Sequence, residues 1–501
     1  MTVYFGQKGY TLYKKNLQLV EQIQIKEDLT VKPNLGVTMG KAEEFSIYRE
    51  SEGKIYVPRF YGEQKYGLAK DTRLTKYEEI NLKFNGEMRD YQNDIVNKYI
   101  DHVTKNNKNN KSIDQGGGGL LEIGCGKGKT VMALNIISKL KVKTLVIVHK
   151  GFLLNQWVER IQQFLPDAKV GKIQGPHFDI EGKDIVIGML QSLSMKEYPQ
   201  EMFKDFGFVC VDECHHISAE VFVRSLFTVV TPYILGLSAT MQRKDGLSKV
   251  FKLFIGKIIH SEKNDTSAPV LVKAIEYNNN DEDFNEVKLD YRGNPLYSSM
   301  ISKLCGFSLR TEFIISVLQD VLRENENQQI MMLAHNKSIL TYLFKAIEHR
   351  KIADGSVGYY IGGMKEPALK LSETKKIILA TFSMAAEALD IKTLTTLFLM
   401  SPKTDVQQAV GRILRVKHSS PLVIDFVDSH DIFQSQWRKR LTFYRKQNYK
   451  VVYTNNNMYK PYKNDSPLDN NTWKIVNVPG AKQKEKDKSK SKPKCLIKIV
   501  E

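Results

Sequence analysis

The chain has 501 residues and a net charge of +18, and its five cysteines, at 125, 210, 214, 305 and 495, have no metal-ligand spacing. That length allows three or more domains with their own cores, the basic excess suits a polyanionic partner, and the cysteine placement points to a reducing compartment. No apolar run approaches the roughly 20 residues of a membrane span and the N-terminus lacks a signal-peptide core, so a soluble intracellular protein with no membrane partner is expected.

Residues 1–84 read as a β-rich accessory domain and a candidate for DNA binding. Phe45-Ser46-Ile47-Tyr48 and Lys54-Ile55-Tyr56-Val57 alternate about Ser51-Glu52-Gly53, the pattern of a hairpin. Arg49, Lys54 and Arg59 interleave with Tyr48, Tyr56, Phe60 and Tyr61. Such a mixture grips phosphates and stacks on bases, or else forms a small aromatic core with a charged rim. Residues 104–119, rich in Lys and Asn and then Gly, read as a mobile loop.

The run Gly124-Cys125-Gly126-Lys127-Gly128-Lys129-Thr130 follows the apolar Leu120-Leu121 and opens a helical pattern. A glycine-rich turn between strand and helix directs backbone N–H groups and the positive helix end at one spot, where a polyphosphate can sit. Lys129 would neutralise the β- and γ-phosphates and Thr130 would give a hydroxyl to Mg²⁺. Further on, Phe208-Val209-Cys210-Val211 reads as a buried parallel strand that delivers Asp212 and Glu213 at its C-terminal end, where ligands of open α/β sheets bind. Asp212 is suited to hold Mg²⁺ and Glu213 to orient and deprotonate a water. Strands at 144–148, 184–187, 208–211 and 234–237 alternate with helical segments such as 156–165, giving a first parallel-sheet domain over 85–264.

The polar stretch 278–283 falls in a linker region, 265–310. Strands at 329–333, 357–361, 376–380, 396–399 and 422–426 then give a second domain over 311–435. His335, after the first of these, is read as a capping or buried histidine in preference to a ligand contact. Gln408, Arg412 and Arg415 stand at offsets of four and three, so they share one face of a helix, and paired arginines stabilise the charge that develops on a γ-phosphate. Residues 436–501 form a basic helix, with Trp437, Leu441 and Tyr444 on one apolar face, and a disordered Lys-rich tail.

Taken in order from about 85 to 430, these motifs resemble those of superfamily two DExH-box helicases. Met88-Arg89-Asp90-Tyr91-Gln92 resembles the adenine-reading motif, with Arg89 and Gln92 as base contacts, and Gly126-x-Gly128-Lys129-Thr130 matches motif I. Leu145 to His149 with Leu154-Asn155-Gln156-Trp157 resembles motif Ia, and Gly188-Met189-Leu190-Gln191-Ser192 the next nucleic-acid contact. Asp212-Glu213-Cys214-His215 is similar to a DExH box, and Ser238-Ala239-Thr240 to motif III, which couples hydrolysis to movement through residues that include His215. Ala380-Thr381 with Glu387-Ala388-Leu389-Asp390 resembles motif V, with alanine where glycine is usual, and 408–415 resembles motif VI.

Within that superfamily, Gln156-Trp157, Ser238-Ala239-Thr240-Met241-Gln242-Arg243-Lys244-Asp245-Gly246 and Gly53-Lys54-Ile55-Tyr56-Val57-Pro58-Arg59-Phe60 resemble DNA translocases of the XPB and phage UvsW kind. They also resemble the transcript-release helicases of poxviruses and other large cytoplasmic DNA viruses. The resemblance implies an α/β fold of two RecA-like parallel-sheet motor domains. It implies ATP and Mg²⁺ as cofactors, and nucleic-acid contacts from Gln156, Gln191, Ser192 and Thr381. It also implies duplex or branched DNA as substrate, with RNA polymerase or other transcription proteins as candidate partners and host cytoplasm or virion as the location. Two alternatives stay open: an ATP-dependent RNA helicase, and the motor subunit of a nuclease or remodelling complex.

Overall fold

The computed structural model describes residues 3–33, 43–109, 116–124, 127–214, 219–239, 247–261, 270–387, 391, 393–414, 421–460 and 472–480. The chain divides into two compact units, Met1–Asp265 with Ser383–Lys392, and Thr266–Phe382 with Thr393–Glu501. Each is built on a mixed eight-stranded sheet in which seven strands run parallel.

In the first unit the strand order is 177–179, 170–174, 185–189, 144–148, 208–211, 233–238, 117–122, 258–261. Only the first of these, His177–Asp179, runs antiparallel to its neighbour. The central strands are continuous apolar runs, as a sheet covered on both faces requires. Register aligns Gly188, Ile147, Val211, Gly236 and Leu120 in one row across five strands. The chain therefore leaves these five strands along one edge, after Met189, Val148, Val211, Ser238 and Glu122. Strand Gly117–Glu122 lies between 233–238 and 258–261, two strands away from Thr144–Val148, its successor in the chain. Such a reversal of strand order is where open α/β sheets bind ligands.

The glycines expected in a mobile loop are instead core. Gly117–Glu122 is buried along its first five residues. A Cβ on Gly118 would stand 2.3 Å from the carbonyl oxygen of Ile255, and one on Gly119 would stand 2.0 Å from Ile259. Glycine here reflects close approach of neighbouring chain, a constraint that composition hides.

The N-terminal residues form a five-stranded sheet in the order 49–50, 54–57, 9–13, 3–6, 71–73. The turn at 51–53 is where the alternation put it, but Arg49–Glu50 pairs with Lys54–Val57, while Phe45–Ser46 pairs with Thr30–Val31. Phe5, Val57, Leu226, Phe227 and Phe254 belong to one continuous core, so this sheet is packed onto the first parallel sheet as part of a single unit.

The second unit orders its strands 357–360, 377–381, 329–334, 394–399, 422–428, 271–277, 450–455, 474–477. The region read as a linker thus begins with an interior strand, Leu271–Tyr277, hydrogen-bonded to both neighbours. Beyond 435, helix Asp431–Lys446 docks through Phe433, Trp437, Arg440 and Tyr444, and Lys450–Asn455 and Lys474–Asn477 extend the sheet. Arg440 Nε donates to Asp425 Oδ2 at 2.9 Å, and Arg310 forms a two-pronged pair with Asp428 at 2.6 and 2.9 Å. Both pairs are buried, so removing one partner would strand a charge in the core. Among the described residues, no helix is long and apolar enough to cross a membrane.

Candidate active site

Helix Lys129–Leu140 begins directly after Gly128, whose φ of +86° suits glycine at the end of the tight turn. A Cβ there would also fall 2.4 Å from Gln92 Nε2. Gln92 is buried against the loop: its Nε2 donates to the Lys127 carbonyl at 3.0 Å, and its Oε1 accepts from the Arg89 amide at 3.0 Å. The Tyr91 hydroxyl donates to the same Lys127 carbonyl at 2.9 Å. Gln92 of the motif expected to read a base thus braces the phosphate loop, while the Arg89 side chain is exposed. The loop is also anchored at its start, where the Ile123 amide donates to the Ser238 carbonyl at 2.9 Å, next to Gly124.

Lys129 Nζ pairs with Glu213 Oε1 at 2.9 Å. This joins the glycine loop to the carboxylates at the end of Phe208–Val211. Glu213 has φ +47°, a left-handed conformation that costs a non-glycine residue energy and is held by its surroundings, as at many functional sites. Asp212 is buried. Its Oδ1 accepts from the Glu213 amide at 3.0 Å and its Oδ2 accepts from Trp157 Nε1 at 2.9 Å. Burial, then the nearby Glu213 charge, push its carboxyl up to about 6, with Lys129 and the indole acting in the opposite direction.

No cluster of three or more metal-ligating side chains occurs among the described residues. One carboxylate, Asp212, and one hydroxyl, Thr130, fit Mg²⁺, which keeps most of its waters and is completed by substrate phosphates. Ser238 is the last residue of strand Tyr233–Ser238 and is buried, with Ala239 following at the same edge. Gln156 lies half-buried on helix Gly151–Phe164. Gln191 Nε2 donates to the His149 carbonyl at 3.1 Å, and Ser192 Oγ accepts from the Gly175 amide at 3.0 Å. Gln156 thus sits next to Trp157, which is bonded to Asp212, and Gln191 is bonded to the segment ahead of that helix.

In the second unit, Thr381 closes strand Ile377–Thr381 and is buried. Gln408 lies in the α-turn Gln407–Val410, and Arg412, also buried, in the 3₁₀ turn Gly411–Leu414. The segment is therefore not one regular α-helix. His335 is half-buried and hydrogen-bonded internally, which suits the capping or buried histidine expected. Its amide donates to Ser401 Oγ at 3.0 Å, the ring Nδ1 lies 2.8 Å from the same oxygen, and burial lowers its pKa to about 4. Cys125, Gly126, His215, Thr240 with 241–246, 388–390, Arg415 and the 482–494 tail lie outside the described residues.

The three N-terminal cations part company. Arg59 is turned inward: Nε pairs with Glu63 at 2.6 Å, while Nη1 and Nη2 donate to the carbonyls of Pro232 and Gly116 at 2.7 and 3.2 Å. It clamps the N-terminal sheet to the first parallel sheet and is not a surface cation. Lys54 Nζ donates to the Tyr4 hydroxyl at 3.3 Å over the rings of Tyr4 and Tyr13, and Arg49 lies over Phe227. For these groups the aromatic-core reading fits better than an open stacking platform. Conversely, Trp157 was legible only as an apolar face residue. A buried indole needs an acceptor for its N–H, but the sequence gives no sign that the acceptor is Asp212.

Residues 85–243 match the family described as "Type III restriction enzyme, res subunit". The chain is similar to "Putative ATP-dependent RNA helicase L396" of Acanthamoeba polyphaga mimivirus, at 36% identity over 88% of this chain and 85% of that protein. It is also similar to "Putative ATP-dependent RNA helicase QP509L" of African swine fever virus (isolate Pig/Kenya/KEN-50/1950), at 25% identity over 70% of this chain and 72% of that protein. Its fold is similar to the fragment structure of "a putative HsdR subunit of a type I restriction enzyme" from Vibrio vulnificus YJ016. That likeness has a TM-score of 0.51 and 17% identity, over 74% of this chain and 70% of that one.

Proposed function

Because the chain belongs to the ATP-dependent helicase family of large DNA viruses, we propose that it tracks or unwinds duplex or branched DNA, in viral transcript release or in DNA repair and recombination. The observation that carries the chemistry is the Lys129–Glu213 pair at 2.9 Å beside Asp212, at the end of the phosphate-loop helix. When ATP binds, Lys129 leaves Glu213 for the β- and γ-phosphates, and Glu213 is released to orient and deprotonate the attacking water. Thr130 and Asp212 would hold Mg²⁺, which would neutralise charge developing on the phosphates. Gln408, Arg412 and Arg415 are assigned to the γ-phosphate; His215, Ser238, Ala239 and Thr240 to coupling; and Gln156, Gln191, Ser192 and Thr381 to the nucleic-acid backbone. Arg59 is withdrawn from that assignment because its guanidinium is consumed internally.

Contacts to phosphate and sugar carry no direct sequence information, so binding without sequence preference and a steep fall of affinity with salt are expected. The DNA assignment rests on the likeness of Gln156-Trp157 and of 238–246 to DNA translocases. An RNA substrate is the second reading, favoured by the printed names of the mimivirus and African swine fever virus relatives. Transcription proteins, RNA polymerase among them, are the partners in the first reading. ATP hydrolysis measured side by side with single- and double-stranded DNA and RNA separates the two. Duplex or branched DNA should stimulate most, and stronger stimulation by RNA than by any DNA form overturns the DNA assignment.

A further inference from the structure

We infer that Trp157 is a positioning residue for the nucleotide-bound cation, tying the helix that bears Gln156 to the carboxylate of Asp212. The inference rests on the function proposed above and adds to it how the nucleic-acid side reaches the phosphate side. Trp157 is 1% exposed and Asp212 5% exposed, and the indole N–H donates to Oδ2 at 2.9 Å across 55 residues of sequence. Oδ1 is held by the Glu213 amide, so each carboxylate oxygen has one donor that fixes its direction. A carboxylate offers about four lone-pair sites, which leaves capacity on both oxygens for a cation and its waters.

The helix is coupled to Asp212 by backbone as well. Gly151–Phe164 follows strand Thr144–Val148, and the Asp212 amide donates to the Ile147 carbonyl at 3.0 Å. Two residues upstream of the helix, His149 offers its carbonyl to Gln191. Gln156, assigned to nucleic acid, thus sits on this helix and Gln191 is bonded just ahead of it, while the helix's next side chain, Trp157, holds the Asp212 carboxylate. A shift of that helix reorients Asp212 without any change in the phosphate loop. Outer partners of metal ligands act in this way, and their loss typically costs about 10- to 100-fold in metal affinity or activity. A phenylalanine would fill the same core volume without the N–H, so the indole donor itself is the testable feature.

The test uses the full chain with Trp157→Phe and follows ATP hydrolysis against Mg²⁺ concentration, with and without duplex DNA. The half-saturating Mg²⁺ should rise about ten-fold and stimulation by DNA should fall, with the KM for ATP at saturating Mg²⁺ changing far less. A folded Trp157→Phe protein with an unaltered Mg²⁺ midpoint and unaltered stimulation overturns the inference. Should that variant not fold, the chain's three tryptophans, at 157, 437 and 473, give a second readout. In Trp437→Phe/Trp473→Phe, Trp157 emission should change saturably on titration with Mg²⁺–ADP, and Asp212→Asn should abolish the change. Emission that ignores Mg²⁺–ADP overturns the inference. If the unaltered chain showed no hydrolysis stimulated by nucleic acid, the helicase reading would fall, while the emission titration would still decide the role of Trp157.

Discussion

His335 illustrates how one half-buried side chain imposes a pH dependence. Its ring packs against Phe382 with centroids 4.9 Å apart and shares Ser401 Oγ with its own backbone amide. The serine oxygen already accepts from that amide, so its hydroxyl proton is free to go to Nδ1, an arrangement that needs the neutral ring. Burial, with a smaller contribution from Lys403, lowers the pKa from 6.5 to about 4. Between those values the unfolded chain binds more protons at this site than the folded chain, so the site's contribution to stability rises with pH and is lost as pH falls through the window. Denaturant unfolding at pH 7.5, 6 and 5 should therefore show a steeper acid-side loss in the unaltered protein than in His335→Gln, whose side chain does not titrate. Parallel pH curves would remove His335 from the account.

At the level of the element, the strands of both parallel sheets were largely legible, because a mainly apolar run of four to six residues between polar turns leaves few alternatives. Strands 144–148, 208–211, 329–334 and 394–399 needed only that pattern. Three kinds of element were not legible. Val170–Gln174 and the edge strand His177–Asp179 are the last two strands on one side of the sheet and carry exposed polar residues. Leu271–Tyr277 contains Lys273 and Glu276, and its charge is explained only by the buried Lys273–Glu324 pair and by Tyr453 and Gln434 on Glu276. Gly117–Glu122 looked like a loop because its glycines serve neighbours distant in sequence. Gly118→Ala tests that explanation. With backbone oxygen 2.3 Å from the new Cβ, the substitution should cost at least about 3 kcal/mol or prevent folding, measured by denaturant unfolding. A loss below about 1 kcal/mol would mean that the strand can move aside and that glycine there has another reason.

The same reasoning changes what the whole chain can tolerate. The nucleotide motifs stand out because each pairs a rare composition with a strand-to-helix boundary, and the structure brings the Lys129, Asp212 and Glu213 named from them together. The role of the N-terminal 84 residues was not readable, because Arg59 looks the same in sequence whether it meets a phosphate or two carbonyls. Its burial between the N-terminal sheet and the first parallel sheet makes those residues part of the ATP-binding unit. Deleting 1–84 would expose Leu226, Phe227 and Phe254, so the remainder should lose its cooperative melting transition or aggregate, and ATP hydrolysis should fall with it. A truncated protein that kept the melting temperature and hydrolysis of the full chain, and lost only DNA binding, would restore the accessory-domain reading.

In the proposed cycle Glu213, held by Lys129 until ATP arrives, activates the water in a reaction that nucleic acid accelerates. The direct measurement is steady-state ATP hydrolysis by the unaltered chain and by Glu213→Gln, each with and without duplex DNA, alongside nucleotide binding by both. Duplex DNA should raise hydrolysis by the unaltered chain, while Glu213→Gln should bind ATP normally and turn it over roughly 10²- to 10⁴-fold more slowly in both conditions. Hydrolysis indifferent to nucleic acid, or a Glu213→Gln variant as fast as the unaltered chain, would contradict it.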